Sequence, residues 1–304
     1  MKHLVLFAFL VLCLTQLSWG APPEFKTLNT HLFSVEESSE DSTQTEILAT
    51  NSPRILYLNS ENSESLVTAR VALQTNSEVS LEVDSNTSEI YNISLVSEKP
   101  ANAKARSFRW NPGFYSPSLI SNYLKTKTLF DSVDSYTDAD LSDDCYNRAH
   151  YWSRAFEVDH HVKSMKVFVL FTPGYRKENN FNWWYHVAPY VTVQGTEDDK
   201  EIVLDPSYEQ LPIGLKKWVF HFASKAKTCR VLKSIYEYQS TQEQGGCVVI
   251  TASMYHYTPY DLNPLNPPVG WRCEDIATVQ KSLRAPSPYK DWEDYTDFIP
   301  NHCR

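Results

Sequence analysis

A thiol, an imidazole and a carboxylate can together build a covalent catalyst. The thiolate attacks, the imidazole moves the proton, and the carboxylate holds the imidazole in one tautomer. Three candidates stand out here: Cys145 after Ser142-Asp143-Asp144, His186 within Trp183-Trp184-Tyr185-His186-Val187-Ala188, and Asp205 at the end of Ile202-Val203-Leu204-Asp205 before Pro206. Each alone also reads as an ordinary structural residue: a buried cysteine, a strand histidine, an aspartate in a strand-ending turn.

The elements expected to carry them give the set its meaning. Cys145, Ala149, Trp152 and Phe156 recur at i, i+4, i+7 and i+11, one face of a helix, and Ser142-Asp143-Asp144 supplies N-cap candidates. A cysteine at a helix N-terminus meets the positive end of the helix dipole and unpaired backbone N–H groups. Both favour a thiolate and a developing oxyanion; Asp143 and Asp144 oppose the thiolate, and a paired imidazolium is expected to outweigh them. Trp183 to Val193 and Glu201 to Leu204 read as strands joined by a polar turn. If Gly195-Thr196 is a two-residue turn, paired residue numbers sum to 391 and His186 faces Asp205. A longer loop through Glu197-Asp198-Asp199-Lys200 breaks that register. Lys166 to Phe171 and Val248 to Tyr257 read as strands and Lys216 to Ala226 as a helix, with a Pro-rich, loop-like tail from 259 to 304.

The N-terminal half holds little chemistry. Residues 21 to about 50 are polar and acidic and read as a mobile start. From about 53 to 98, short alternating runs, among them Leu66-Val67-Thr68-Ala69-Arg70-Val71-Ala72-Leu73, read as a small antiparallel sheet. Residues 99 to 144, with Lys104-Ala105-Arg106, Phe108-Arg109-Trp110 and six aspartates from Asp131 to Asp144, read as a junction accessible to proteases.

Leu4 to Leu14 is an apolar run too short to span a bilayer, and Ser18-Trp19-Gly20 places small residues before Ala21, which reads as a signal peptide. Export permits disulfides. Cys13 leaves with the signal, and the odd remainder is Cys145, Cys229, Cys247, Cys273 and Cys303. Cys145 stands apart as the free thiol; pairing sequence neighbours gives Cys229–Cys247 and Cys273–Cys303. The formal charge of −9 and the lack of a long Lys/Arg cluster argue against nucleic acid and anionic membrane as partners. His150, His160 and His161 fit no zinc spacing, so no metal or other cofactor is expected.

Cys145-Tyr146-Asn147-Arg148-Ala149-His150, Trp184-Tyr185-His186-Val187-Ala188 and Leu204-Asp205-Pro206-Ser207 resemble, in order and spacing, the triad segments of the secreted bacterial protein glutaminases. The resemblance covers residues 140 to 210 well and the rest of the C-terminal half weakly. It departs at Asn147, where a small residue is expected, and at Asp144, where glycine is expected. It implies an α+β fold, with a papain/transglutaminase-like catalytic domain over 131–304 and a small β-rich pro-region over 21–130, after the signal peptide at 1–20. It further implies deamidation of glutamine side chains in proteins, with Cys145 as nucleophile, His186 as base then acid, and Asp205 as the orienting group. Trp183, Trp184 and Tyr185 are the expected substrate-groove residues. The expected partners are proteins with exposed glutamine and the chain's own pro-region as inhibitor, for a monomer that is secreted, extracellular or periplasmic. The triad alone equally suits a cysteine peptidase or a transglutaminase, and a secreted binding protein with a buried Cys145 is the non-enzymatic alternative.

Overall fold

The computed structural model describes residues 24–38, 41–96, 115–133, 145–194, 200–226, 228–239, 245–265, 268, 270–283 and 303. The expected signal segment, the N-cap candidates Ser142 to Asp144 and the Arg106–Trp110 group lie outside them.

The first unit is a closed five-stranded barrel in the order β1 (Phe25–Glu37), β2 (Gln44–Ala49), β3 (Ile55–Asn59), β5 (Glu89–Leu95), β4 (Glu78–Asp84). Two expectations are corrected here. The supposed mobile start contains β1 and β2: β1 pairs with β4 from Phe25↔Asp84 to His31↔Glu78, so a polar sequence is ordered by ladder bonds on both edges. The run Leu66 to Leu73 is not a strand but part of helix α1 (Ser63–Thr75). Its buried positions are Ser65, Ala69 and Ala72, small residues at helical spacing, while Val67 and Val71 point outward. Asn62 caps its start by accepting from Ser65 N at 3.2 Å, and Asn76 ends it in the left-handed region.

The second unit begins by β6 (Leu119–Ile120) and α2 (Tyr123–Val133), so the expected division at residue 130 falls inside a helix that packs on its neighbours. Then come α3 (Cys145–His160), β7 (Met165–Phe171), α4 (Pro173–Asn179), β8 (Tyr185–Val193), β9 (Glu201–Val203), β10 (Ile213–Gly214), α5 (Leu215–Phe222), β11 (Cys229–Val231), α6 (Tyr236–Gln239), β12 (Cys247–Ser253), a 3₁₀ turn Pro259–Leu262 and α7 (Cys273–Leu283). The tail is therefore partly helical, with Glu274 and Asp275 in the first turn of α7. The sheet runs β10-β9-β8-β7-β12-β11, mostly antiparallel, with β6 added beside β8. It is covered on both faces, which explains its nearly continuous apolar strands. Phe168 and Leu170 of β7 join the core that holds Cys145, Ala149, Trp152 and Phe156 of α3; Val167, Val169 and Phe171 join Trp218 and Val219 of α5. All four members of the expected α3 face are buried.

The two expected disulfides are present. Cys229–Cys247 ties β11 to β12 at a directly paired position, and Cys273–Cys303 holds the tail to α7. Cys145 makes no disulfide.

Behind α3 lies a buried polar cluster. Lys166 of β7 places Nζ 2.8 Å from His150 Nδ1 and donates to the His256 carbonyl at 2.6 Å. Asp261 accepts from the Tyr257 and Thr258 amides and pairs with Arg272, which also grips Asp275 at 2.6 Å. Tyr257 OH donates to Asn147 Oδ1, joining the cluster to the helix that begins at Cys145. Burial holds Lys166 and His150 well below their usual ranges and lowers His256 to about 4. A depressed histidine contributes stability above its unfolded value near 6.5, and that contribution is lost as pH falls toward 4. Asp275, pushed up to about 7 by burial, works in the opposite direction over the same window. The comparison that isolates the histidine is therefore His256→Gln against the parent. Its stability relative to the parent is expected to rise by on the order of 2 kcal/mol between neutral pH and pH 4, read from thermal melts at several pH values.

Candidate active site

His186 is the second residue of β8, and its side chain points to the α5 face of the sheet. The observed β8–β9 register is Tyr190↔Val203, Val191↔Ile202 and Thr192↔Glu201, so paired numbers sum to 393, not 391. The register is shifted by two residues from the expected one, so His186 and Asp205 are not a directly opposed cross-strand pair. The contact forms by another route. Leu204 N still bonds Pro189 O at 2.9 Å, but the chain then turns, with Tyr208 N and Glu209 N both donating to the Asp205 carbonyl. That turn brings the Asp205 carboxylate back to the imidazole, with His186 Nε2 2.9 Å from Oδ2.

Both side chains are 1% exposed. Asp205 Oδ2 also accepts from Trp218 Nε1 at 3.0 Å. Aromatic rings enclose the imidazole: Phe222 stacked at 4.5 Å, Tyr208 edge-on at 4.8 Å, Trp218 at 5.5 Å and Trp183 at 5.8 Å. His186 Nδ1 has no hydrogen-bond partner among the described residues. With Nε2 engaged by the carboxylate, Nδ1 is the nitrogen left for a reacting group. Burial lowers the His186 pKa, Asp205 pulls it back up, and Arg148 pushes it down. Burial thus favours the neutral form of the imidazole, and the Asp205 carboxylate favours the charged one.

Cys145 is the first residue of α3, which packs on β8, and its side chain is buried. Tyr208, edge-on to the His186 ring, is close enough to Cys145 to feel its charge. The phenol pKa is raised, by burial first and next by electrostatic interaction with the Cys145 side chain, with Asp205 adding to it; Arg148 and Arg54 act against the rise. Arg148, on the turn after Cys145, is buried and acts on both His186 and Tyr208.

The expected groove residues divide. Trp183 is half-buried beside His186. Trp184 and Tyr185 are fully buried: Trp184 Nε1 donates to Ser52 O at 2.6 Å, and Tyr185 OH to Thr50 O at 3.0 Å. They hold the loop between β2 and β3 of the barrel unit. Arg54 forms a bridge with Trp183, Trp184 N bonds Pro53 O, and Ile55 N bonds Asn182 O, both at 2.8 Å. Phe33 stacks on Trp184 at 5.1 Å, and His31 on Tyr260 at 4.3 Å. The loop Thr50–Ile55 thus runs along the chain just before His186.

Four residues of this site escaped the sequence reading: Trp218, Phe222, Tyr208 and Arg148. The helical reading over Lys216 to Ala226 contained the first two, and Arg148 stands at i+3 from Cys145. Nothing in the spacing pointed Trp218 at Asp205.

No curated protein matches the chain. Two solved structures share its fold. A pro- protein-glutaminase crystal structure is 17% identical, over 88% of this chain and 97% of that one, with a TM-score of 0.54. A mutant of pro- protein-glutaminase is 16% identical, over 88% and 98%, with a TM-score of 0.55. Residues 120–222, which include Cys145, His186, Asp205 and Trp218, match the family model described as Glutaminase. Through that segment the chain is similar to the glutaminase family.

Proposed function

We propose that this chain hydrolyses the side-chain amide of glutamine in proteins, with Cys145, His186 and Asp205 as its triad on a papain/transglutaminase-like unit. The observation that carries this is the buried His186–Asp205 pair with Nδ1 unpartnered, beside a helix that starts at a thiol outside any disulfide. The neutral imidazole takes the thiol proton as Sγ attacks the amide carbon. The tetrahedral intermediate collapses, the C–N bond breaks, and His186 returns the proton to the departing ammonia. A water, deprotonated by the same imidazole, then hydrolyses the thioester. The products are glutamate and free thiol. Backbone N–H groups at the start of α3 are the natural oxyanion donors. Every step uses groups of the chain itself.

In this reading residues 21 to the linker before β6 are a pro-region, residues 1–20 an export leader, and the mature enzyme a secreted monomer. The loop Thr50–Ile55 beside His186 and the two disulfides support it. Removing the thiol tests the function. Cys145→Ala is expected to abolish ammonia release from casein by the processed chain while leaving its melting temperature within a few degrees. Wild-type ammonia release from Cys145→Ala would refute the assignment.

A further inference from the structure

We infer that Trp218 is a positioning residue: its indole N–H fixes the Asp205 carboxylate so that the same oxygen, Oδ2, receives His186 Nε2–H. The inference rests on the triad reading above and extends it to a residue on α5.

The geometry is specific. Oδ2 accepts two donors, the imidazole at 2.9 Å and the indole at 3.0 Å, while Oδ1 has no hydrogen-bond partner among the described residues. Without Trp218 the carboxylate has one directional partner, the group it is meant to orient. With it, rotation of the carboxylate about its Cβ–Cγ bond breaks two bonds in a water-poor site, where a lost hydrogen bond to a charged group is costly. Trp218 is itself fully buried in the middle of α5, in one core cluster with β7, β8 and β9 side chains. The Phe222 ring, one turn further along α5, lies on the imidazole at 4.5 Å, so one helix both shields the pair and anchors its acid. The sequence supports the arrangement, because tryptophan is a donor only and cannot compete with His186 for the proton.

The indole also tempers the carboxylate. An N–H donated to Oδ2 takes up part of its negative charge, leaving less to stabilise an imidazolium. Besides Cys145 in the triad reading, the other charged or titratable groups facing His186 among the described residues are Arg148 from α3 and Tyr208 from the turn after Asp205. The residues of α5 that pack on it, Trp218 and Phe222, carry no charge.

Trp218→Phe keeps the ring and removes the N–H. Measured on the full chain after limited proteolysis, kcat is expected to fall on the order of ten- to a hundredfold with KM little changed, the size of one lost hydrogen bond to a charged group. The acid limb of kcat/KM should move to higher pH, because the imidazole then meets the full carboxylate charge. Val219→Ala, on the same helix, buried and carrying no polar group, serves as the packing control; it should lower the melting temperature without moving the limb. An unmoved limb in Trp218→Phe, or the same limb shift in Val219→Ala, would overturn the positioning role. Should Trp218→Phe fold poorly, the downfield Nε2–H proton of His186 in the parent decides: its absence from the NMR spectrum below the acid limb also overturns the proposal. Full activity of Cys145→Ala, by contrast, would bring down the triad reading itself.

Discussion

Asp205→Asn is expected to lower kcat by roughly a hundred- to ten-thousandfold, the range seen when the orienting carboxylate of a triad is neutralised. The size follows from the site's construction. His186 is buried, and burial already disfavours its charged form; the Asp205 carboxylate is the first group that pulls the other way. An asparagine of the same shape can still meet the imidazole and the indole, but it brings no charge, so the imidazolium that forms as the thiol attacks loses its main support. If the amide nitrogen turns to the Oδ2 position, it faces two N–H donors, His186 Nε2 and Trp218 Nε1, and the imidazole is driven to the other tautomer. That tautomer protonates Nδ1, the nitrogen needed as base. Both outcomes lower kcat rather than raise KM. Steady-state ammonia release at saturating substrate checks this, and a loss smaller than about threefold would show that Asp205 only ends a strand.

The second large effect is expected on cutting between the two units. The loop Thr50–Ile55 binds Asn182–Tyr185 through backbone and side-chain hydrogen bonds, and Glu46 adds an ion pair with the buried Arg176 at 3.5 Å. A tethered segment acts at an effective concentration on the order of millimolar, so modest contacts suffice to keep it in place. Cleavage within 97–114 lets the barrel unit dilute away and should raise activity on a protein substrate at least about a hundredfold at micromolar enzyme. Equal activity before and after cleavage would make the barrel an accessory domain and leave the loop's position without an inhibitory role.

How far this was legible in the sequence follows from what each element depends on. The α3 face and strands β7, β8 and β12 bury a regular apolar stripe, and periodicity reports that. Helix α1 buries Ser65, Ala69 and Ala72, residues too small to register as a stripe, and its β-branched residues face outward in imitation of a strand. The polar strand β1 is held by its neighbours' ladders, which no local pattern reveals. The order of Cys145, His186 and Asp205 was visible, yet the proposed register was off by two, because the His–Asp contact comes from the turn after Leu204 rather than from the ladder. Trp184 and Tyr185 lay next to the histidine as expected, but their polar atoms serve the barrel loop, a long-range packing relation. Trp218's bond to Asp205 depends likewise on where α5 lands against the sheet.

The central claim is tested most directly by the product balance on one glutamine-containing protein. The processed chain should convert glutamine to glutamate with one ammonia released per residue changed, no new peptide termini and no cross-linked species, and Cys145→Ala should produce none of these. Peptide cleavage or cross-links in place of glutamate, or undiminished turnover by Cys145→Ala, would contradict it.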